Sequence, residues 1–155
     1  MPDVIRLLTN SVISGTVASA VSAAVLGLLA RAEGASFLQP INATSHWLQG
    51  ENAGDVKELD LKHSGTGLAT HHGACVFWAT LFEALRATAP HAGPPRIVRA
   101  AAAVSMIAAV VDYGLMPRRF TPGWEGPLPI RSVGGGFAGL ALGLAVGGLL
   151  TNGRR

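Results

Sequence analysis

The sequence predicts an all-α fold, an integral membrane four-helix bundle with a short interfacial helix in its first loop, and three observations carry that prediction. Only 14% of the 155 residues are charged, too few to clothe a water-soluble surface. The apolar residues gather into long blocks, and short polar segments between them hold nearly every Asp, Glu, Lys and Arg. Proline and glycine cluster between the later blocks, where a chain crossing back must turn. All 155 residues belong to this single membrane domain.

The first span covers residues 12–30, which are uncharged; at about 1.5 Å per residue they just cross a hydrocarbon core of roughly 30 Å. A signal peptide is the competing reading, since Arg6 precedes the run and Ala30-Arg31-Ala32 has the form of a cleavage site. The run exceeds the usual signal core, so a retained span is expected. Residues 40–50 (PINATSHWLQG) place Pro early and Gly at the stop, and Ile41, Trp47 and Leu48 give an apolar face. They predict a short helix in the membrane interface, with Trp47 at headgroup level. Asn42-Ala43-Thr44 has the glycosylation form and is read as a chance match.

The second, third and fourth spans are expected at residues 65–85, 100–116 and 132–151. Pro90, Pro94 and Pro95 separate the second from the third, and Pro117, Pro122, Pro127 and Pro129 the third from the fourth. Arginines at span ends, including Arg86, Arg96, Arg99, Arg154 and Arg155, read as anchors in the headgroup layer. The net charge of +3 is dispersed in this way, so nucleic acid is not an expected partner; the lipid bilayer is. Basic residues are balanced between the two faces, and the purely basic stretch from Arg86 to Arg99 tips the expectation to cytoplasmic termini.

Small residues recur at every fourth position: Gly15, Ser19, Ala23 and Gly27 in the first span, and Gly135, Gly139, Gly143 and Gly147 in the fourth. Each set lies on one helix face and lets a second backbone approach closely. The two stripes would face each other within the bundle, or the fourth span would pair with another subunit in a homo-oligomer or larger membrane complex.

Ionisable groups inside spans are the candidates for chemistry, because a charge near mid-bilayer costs about 2.5–3.5 kcal/mol unless it meets a partner or water. Asp112, His71 and His72 sit at comparable depth on one side of the membrane, and the first loop brings His46 and His63 to that side. Neutral imidazoles supported by a carboxylate suit a haem or a transition metal. His71 and His72 diverge by about 100° on a helix, so only one can point at a given centre. Cys75 shares a face with them and, as a lone cysteine, forms no intrachain disulfide. The alternative is a hydrogen-bonded tie between the second and third spans, with Arg118 or Arg119 as counter-ion to Asp112. Glu83 is expected to pair with Arg86 or to reach water.

No phosphate loop, dinucleotide fingerprint, HExxH or GxSxG signature is present, so an enzyme is not the favoured expectation. PINATSHWLQG, ATHHGACVFWA (69–79) and VDYGLMPRRFTPGWE (111–125) resemble segments of short four-span proteins of bacterial membranes. That resemblance implies a multi-pass protein of the bacterial inner membrane and no particular reaction. Three functions follow as expectations: an accessory subunit packing through its glycine-lined helices, a haem- or metal-binding protein, and a proton or ion path centred on Asp112.

Overall fold

The computed structural model describes residues 2–89 and 93–154 and, among them, contains helices and turns without strands. Pro90 and Arg155 lie outside the described residues. Four long helices account for most of the chain: α1 (Pro2–Ala32), α4 (Thr66–Ala87), α5 (Pro94–Val110) and α6 (Ile130–Leu150). The first loop carries two short helices, α2 (Gln39–Ala43) and α3 (His46–Gln49), and a 3-10 turn at Glu51–Asp55. Wide π turns, Leu61–Gly65 and Val111–Leu115, begin α4 and extend α5.

Three segments, Val4–Ala32, Pro94–Leu115 and Ile130–Leu150, are long and apolar enough to cross a membrane. The expectation of four apolar spans is therefore met by three. α4 has the length, but His71, His72, Glu83 and Arg86 dilute its apolar character. α1 is also longer than expected: its 31 residues extend about 46 Å, beyond the thickness of a hydrocarbon core.

Consecutive long helices run antiparallel, and α1 packs against both α4 and α6 while α5 closes the bundle against α6 and α4. The tightest seam joins α1 and α6. A methyl built on Gly147 would stand 2.6 Å from Ser14 Cα, one on Gly139 would stand 3.1 Å from Ser22 Cα, and one on Gly143 would collide with the Ala18 backbone. Gly135 meets Leu29 further along. The glycine stripe of α6 thus lies within the chain, on the row Ser14, Ala18 and Ser22 rather than on the neighbouring row that begins at Gly15. Gly15 instead admits α4, where an added methyl would lie 2.6 Å from Val76 Cα, and Gly27 admits the Phe37 ring. Ser19 is buried and Ala23 half-buried on the same helix.

At the end holding both termini, a polar cluster is sealed inside the bundle. Arg86 Nη1 donates to Glu83 Oε1 at 2.6 Å and to Thr151 Oγ1 at 2.8 Å, its Nη2 donates to the Gly148 carbonyl, and Ser14 Oγ donates to Glu83 Oε1 at 2.6 Å. This is the Glu83–Arg86 pair expected from the sequence, and it ties three helices together. Burying such a pair is tolerable because each charge meets hydrogen-bonding partners.

At the opposite end, the first loop folds into a compact cap instead of a single interfacial helix. Gln39 to Ser45 are buried, and the helix breaks at Thr44 and Ser45 before resuming. Asn42 is fully buried: its amide donates to the Val56 carbonyl at 2.8 Å and the Glu58 carbonyl at 3.1 Å, and its oxygen accepts from Ser64 Oγ at 2.7 Å. Nothing of the Asn42 side chain is left for a glycan. Gly67 lets the Ile41 carbonyl press onto the start of α4, where any side chain would collide. On the rim, Arg131 Nη2 meets Glu33 Oε2 at 2.9 Å and Ser132 Oγ donates to Glu33 Oε1 at 2.9 Å, joining the end of α1 to the start of α6. The Arg131 and Ser132 hydrogen bonds hold the Glu33 carboxyl below its ordinary value of 4.5.

Candidate functional site

Beneath this cap lies a cavity of about 240 Å³, bounded by Ser22 of α1, by Thr70, His71, Ala74, Cys75 and Trp78 of α4, and by Phe137 and Leu140 of α6. Asp112, in the π turn that ends α5, forms part of the wall, and Thr44, Trp47, Phe120, Thr121, Pro122 and Trp124 close it from the loops. The chain has three tryptophans, and all three line this one space. Ala74 and Phe120 line it and also lie on the molecular surface, so the cavity opens sideways between α4 and the turn at Arg118–Phe120.

The aromatic walls are fixed by hydrogen bonds between elements distant in sequence. Trp47 Nε1 donates to Thr70 Oγ1 at 3.1 Å, linking the cap to α4, and Trp124 Nε1 donates to Thr44 Oγ1 at 3.1 Å, linking the third loop to the first. Trp124 then packs against Phe137 with centroids 5.3 Å apart and against the His71 ring at 5.9 Å. With two indole N–H groups satisfied by threonines, those rings offer a guest mainly their π surface.

His71 is buried one turn from Cys75 and two from Trp78, on one face of α4. Its Nε2 lies 3.0 Å from Ser22 Oγ, which is also 2.7 Å from the Ala18 carbonyl. A hydroxyl has a single proton, and the carbonyl can only accept; Ser22 therefore donates to Ala18, and His71 Nε2–H donates to Ser22. This assignment leaves Nδ1 with its lone pair. Cys75 Sγ lies 3.8 Å from His71 Nε2 and 3.9 Å from Ser22 Oγ, so the three form a small polar group within the bundle.

The other predicted site residues are distributed differently. His46 is held outside the cavity, with Nδ1 3.0 Å from the Ala43 carbonyl and Nε2 3.0 Å from the Arg118 carbonyl. Each ring nitrogen faces a carbonyl, and the single N–H of a neutral imidazole donates to one of them, so His46 fills the junction between the two loops. Gly123 makes room for its ring, with φ of +77° that favours glycine and no space for a side chain beside His46 Nδ1. His63 is bound by Asp60, Nδ1 to Oδ2 at 2.7 Å, while the backbone N–H of His63 also reaches the Asp60 carboxylate. These bonds, the backbone one foremost, lower the Asp60 pKa. His72 is half-buried and lies off the cavity wall. Of the five candidates, His71 and Asp112 alone share the cavity.

Two expectations are corrected here. His71 ties α4 to α1 through Ser22, not to the third span. Asp112 receives neither Arg118 nor Arg119: the Arg119 Nε donates to the Trp47 carbonyl at 3.3 Å, and both arginines line a separate depression with His46 and Glu51. Among the described residues Asp112 has no hydrogen-bond or ion-pair partner. No three His, Cys, Asp or Glu side chains among the described residues are placed to hold a metal ion, and His71 with Cys75 offers at most two donors.

The aromatic walls were the residues that sequence reasoning missed. The signal for Trp78 was present, since residues 71, 75 and 78 fall on one helical stripe. For Trp47 and Trp124 the signal was weaker: both lie in segments that return to the same side of the bundle.

No family model, no curated protein and no solved structure matches this chain. The motif resemblance therefore extends no further than a helical protein with three long apolar helices.

Proposed function

We propose that this chain is a membrane protein with four crossings whose cavity binds a small hydrophobic molecule entering from the lipid phase. The convergence of Trp47, Trp78 and Trp124 on one laterally open space is the observation that carries the reading. A cavity of about 240 Å³ suits a substituted single ring, given that an apolar cavity of about 150 Å³ accepts benzene.

The crossing of α4 is supported by how its polar groups are distributed. His71, Glu83 and Arg86 face inward and are partnered, while Phe77, Leu81 and Leu85 are exposed on the other side of the helix. Lipid would meet that face much as it meets Leu28, Met106, Val110 and Leu142 on the other helices. Four crossings place both termini on one side, which we assign to the cytoplasm of a bacterial inner membrane because Arg86, Arg96 and Arg99 lie at that end. An accessory role through the α6 stripe draws less support, since α1 already occupies that face.

Tryptophan emission provides the test. Bromobenzene, a small apolar heavy-atom quencher, titrated into protein in neutral maltoside micelles, should quench saturably, and Ala74→Phe, which fills the cavity, should abolish the saturable part. Purely linear quenching, identical in wild type and Ala74→Phe, would overturn the cavity reading.

A further inference from the structure

We infer that the guest is a small hydrophobic cation, a protonated amine or quaternary ammonium, held by the aromatic walls and neutralised by Asp112; the inference rests on the cavity reading above. Trp47, Trp78 and Trp124 line the space together with Phe120, Phe137 and Asp112. The negative face of an aromatic ring attracts a cation, most strongly for Trp, and the attraction grows when water is excluded. A neutral ring compound would need the aromatic walls but not the acid.

Asp112 is the second, independent observation. The other inward-facing acid, Glu83, is enclosed by Arg86, Ser14 and Thr151. Three rim acids are also engaged: Glu33 by Arg131, Asp60 by His63, and Glu125 by Tyr113 Oη at 2.8 Å and Thr121 Oγ1 at 3.2 Å. Among the acids of the described residues, Asp112 is the one that borders the cavity, and it lacks a hydrogen-bond or ion-pair partner. Among the described residues no lysine or arginine lines the cavity, so a positive guest would supply the counter-charge that the Asp112 carboxylate lacks. The π turn at Val111–Leu115 supplies the placement. Closed by the bond from the Met116 N–H to the Val111 carbonyl at 2.9 Å, it widens the last turn of the helix where Asp112 sits, and such turns are frequent at functional sites.

The cavity dimensions favour a cation of modest size, and benzyltrimethylammonium is the probe we choose. Its neutral counterpart, neopentylbenzene, has the same shape with carbon in place of the charged nitrogen. Both are titrated against tryptophan emission in neutral maltoside micelles, with dissociation constants compared for wild type, Asp112→Asn and Asp112→Glu.

The expected result is a preference of about tenfold or more for the cation in wild type, lost in Asp112→Asn and retained at least in part in Asp112→Glu. Folding of both variants is checked by circular dichroism and size exclusion; Asp112 has no protein partner to lose, so both should be intact. Binding of neopentylbenzene as tightly as the cation would overturn the cation inference and leave the cavity reading standing. A cation preference unchanged in Asp112→Asn would overturn the role of Asp112 and with it the inference. If neither probe binds and bromobenzene also fails to saturate, the cavity reading falls as well.

Discussion

The seam between α1 and α6 makes a quantitative prediction about two glycines of the same helix. In Gly147→Ala the new methyl would meet Ser14 Cα at 2.6 Å, with Ser14 Cβ and Oγ at 3.0 and 3.1 Å. That is about 1 Å inside the roughly 3.5–4.0 Å at which carbon atoms attract. The nearest obstacle is backbone, so no rotamer change relieves it and the two helices must separate. Overpacking of this kind costs about 1–3 kcal/mol, and the helix propensity gained on replacing glycine returns only about 1 kcal/mol. A net loss of about 0–2 kcal/mol is expected. Gly134, on the exposed face of α6, has nothing within 4 Å of an added methyl, so Gly134→Ala should gain about 0.5–1 kcal/mol from propensity alone. The two variants should therefore differ by roughly 2 kcal/mol in reversible unfolding by sodium dodecyl sulfate in mixed micelles, followed by circular dichroism. A Gly147→Ala protein as stable as Gly134→Ala would refute the intramolecular seam.

Three further outcomes are expected. Arg86→Met strands Glu83 inside the bundle and should cost about 3–5 kcal/mol in the same unfolding assay, while adding Glu83→Gln should recover part of the loss; no recovery in the double variant would contradict the paired cluster. The Glu33 carboxyl titrates below its ordinary value of 4.5 in the folded chain, so its contribution is present above that value and lost as the pH falls through the lower folded pKa. Wild type should lose stability relative to Glu33→Gln on acidification below about pH 5, and parallel pH profiles would remove the Arg131 and Ser132 bonds from the account. Cys75 is buried and lines the cavity, so its alkylation by N-ethylmaleimide should be slow in native micelles, fast after denaturation, and slower still with bromobenzene present. Fast native labelling indifferent to bromobenzene would contradict that placement.

The parts of the molecule legible in the sequence are those governed by local pattern. Uncharged blocks and the Pro and Gly between them located the four long helices, because helix length and chain reversal are written in consecutive residues. Glu83 and Arg86, three residues apart, declared their pairing for the same reason. The helix ends were less legible: residues 2–11 extend α1 with a mixed composition that a search for uncharged runs stops short of. The cap was hidden because its hub, Asn42, is polar and yet fully buried, which only the returning backbone of Val56 and Glu58 makes affordable. His46 and His63 suggested ligands by residue type, but their partners are a carbonyl 72 residues away and an adjacent carboxylate. Trp47 read as a headgroup anchor until Thr70 and the cavity wall gave it a place.

The claim on which the cavity, its sideways opening and its guest all depend is that α4 crosses the membrane despite its buried His, Glu and Arg. With α4 crossing, the chain passes four times and its ends share a side; without it, three apolar helices cross and the ends lie on opposite sides. Reporters fused to each terminus in bacterial cells, one active only in the cytoplasm and the other only in the periplasm, decide between the two. The account predicts cytoplasmic activity at both ends, and signals of opposite location at the two termini would contradict it.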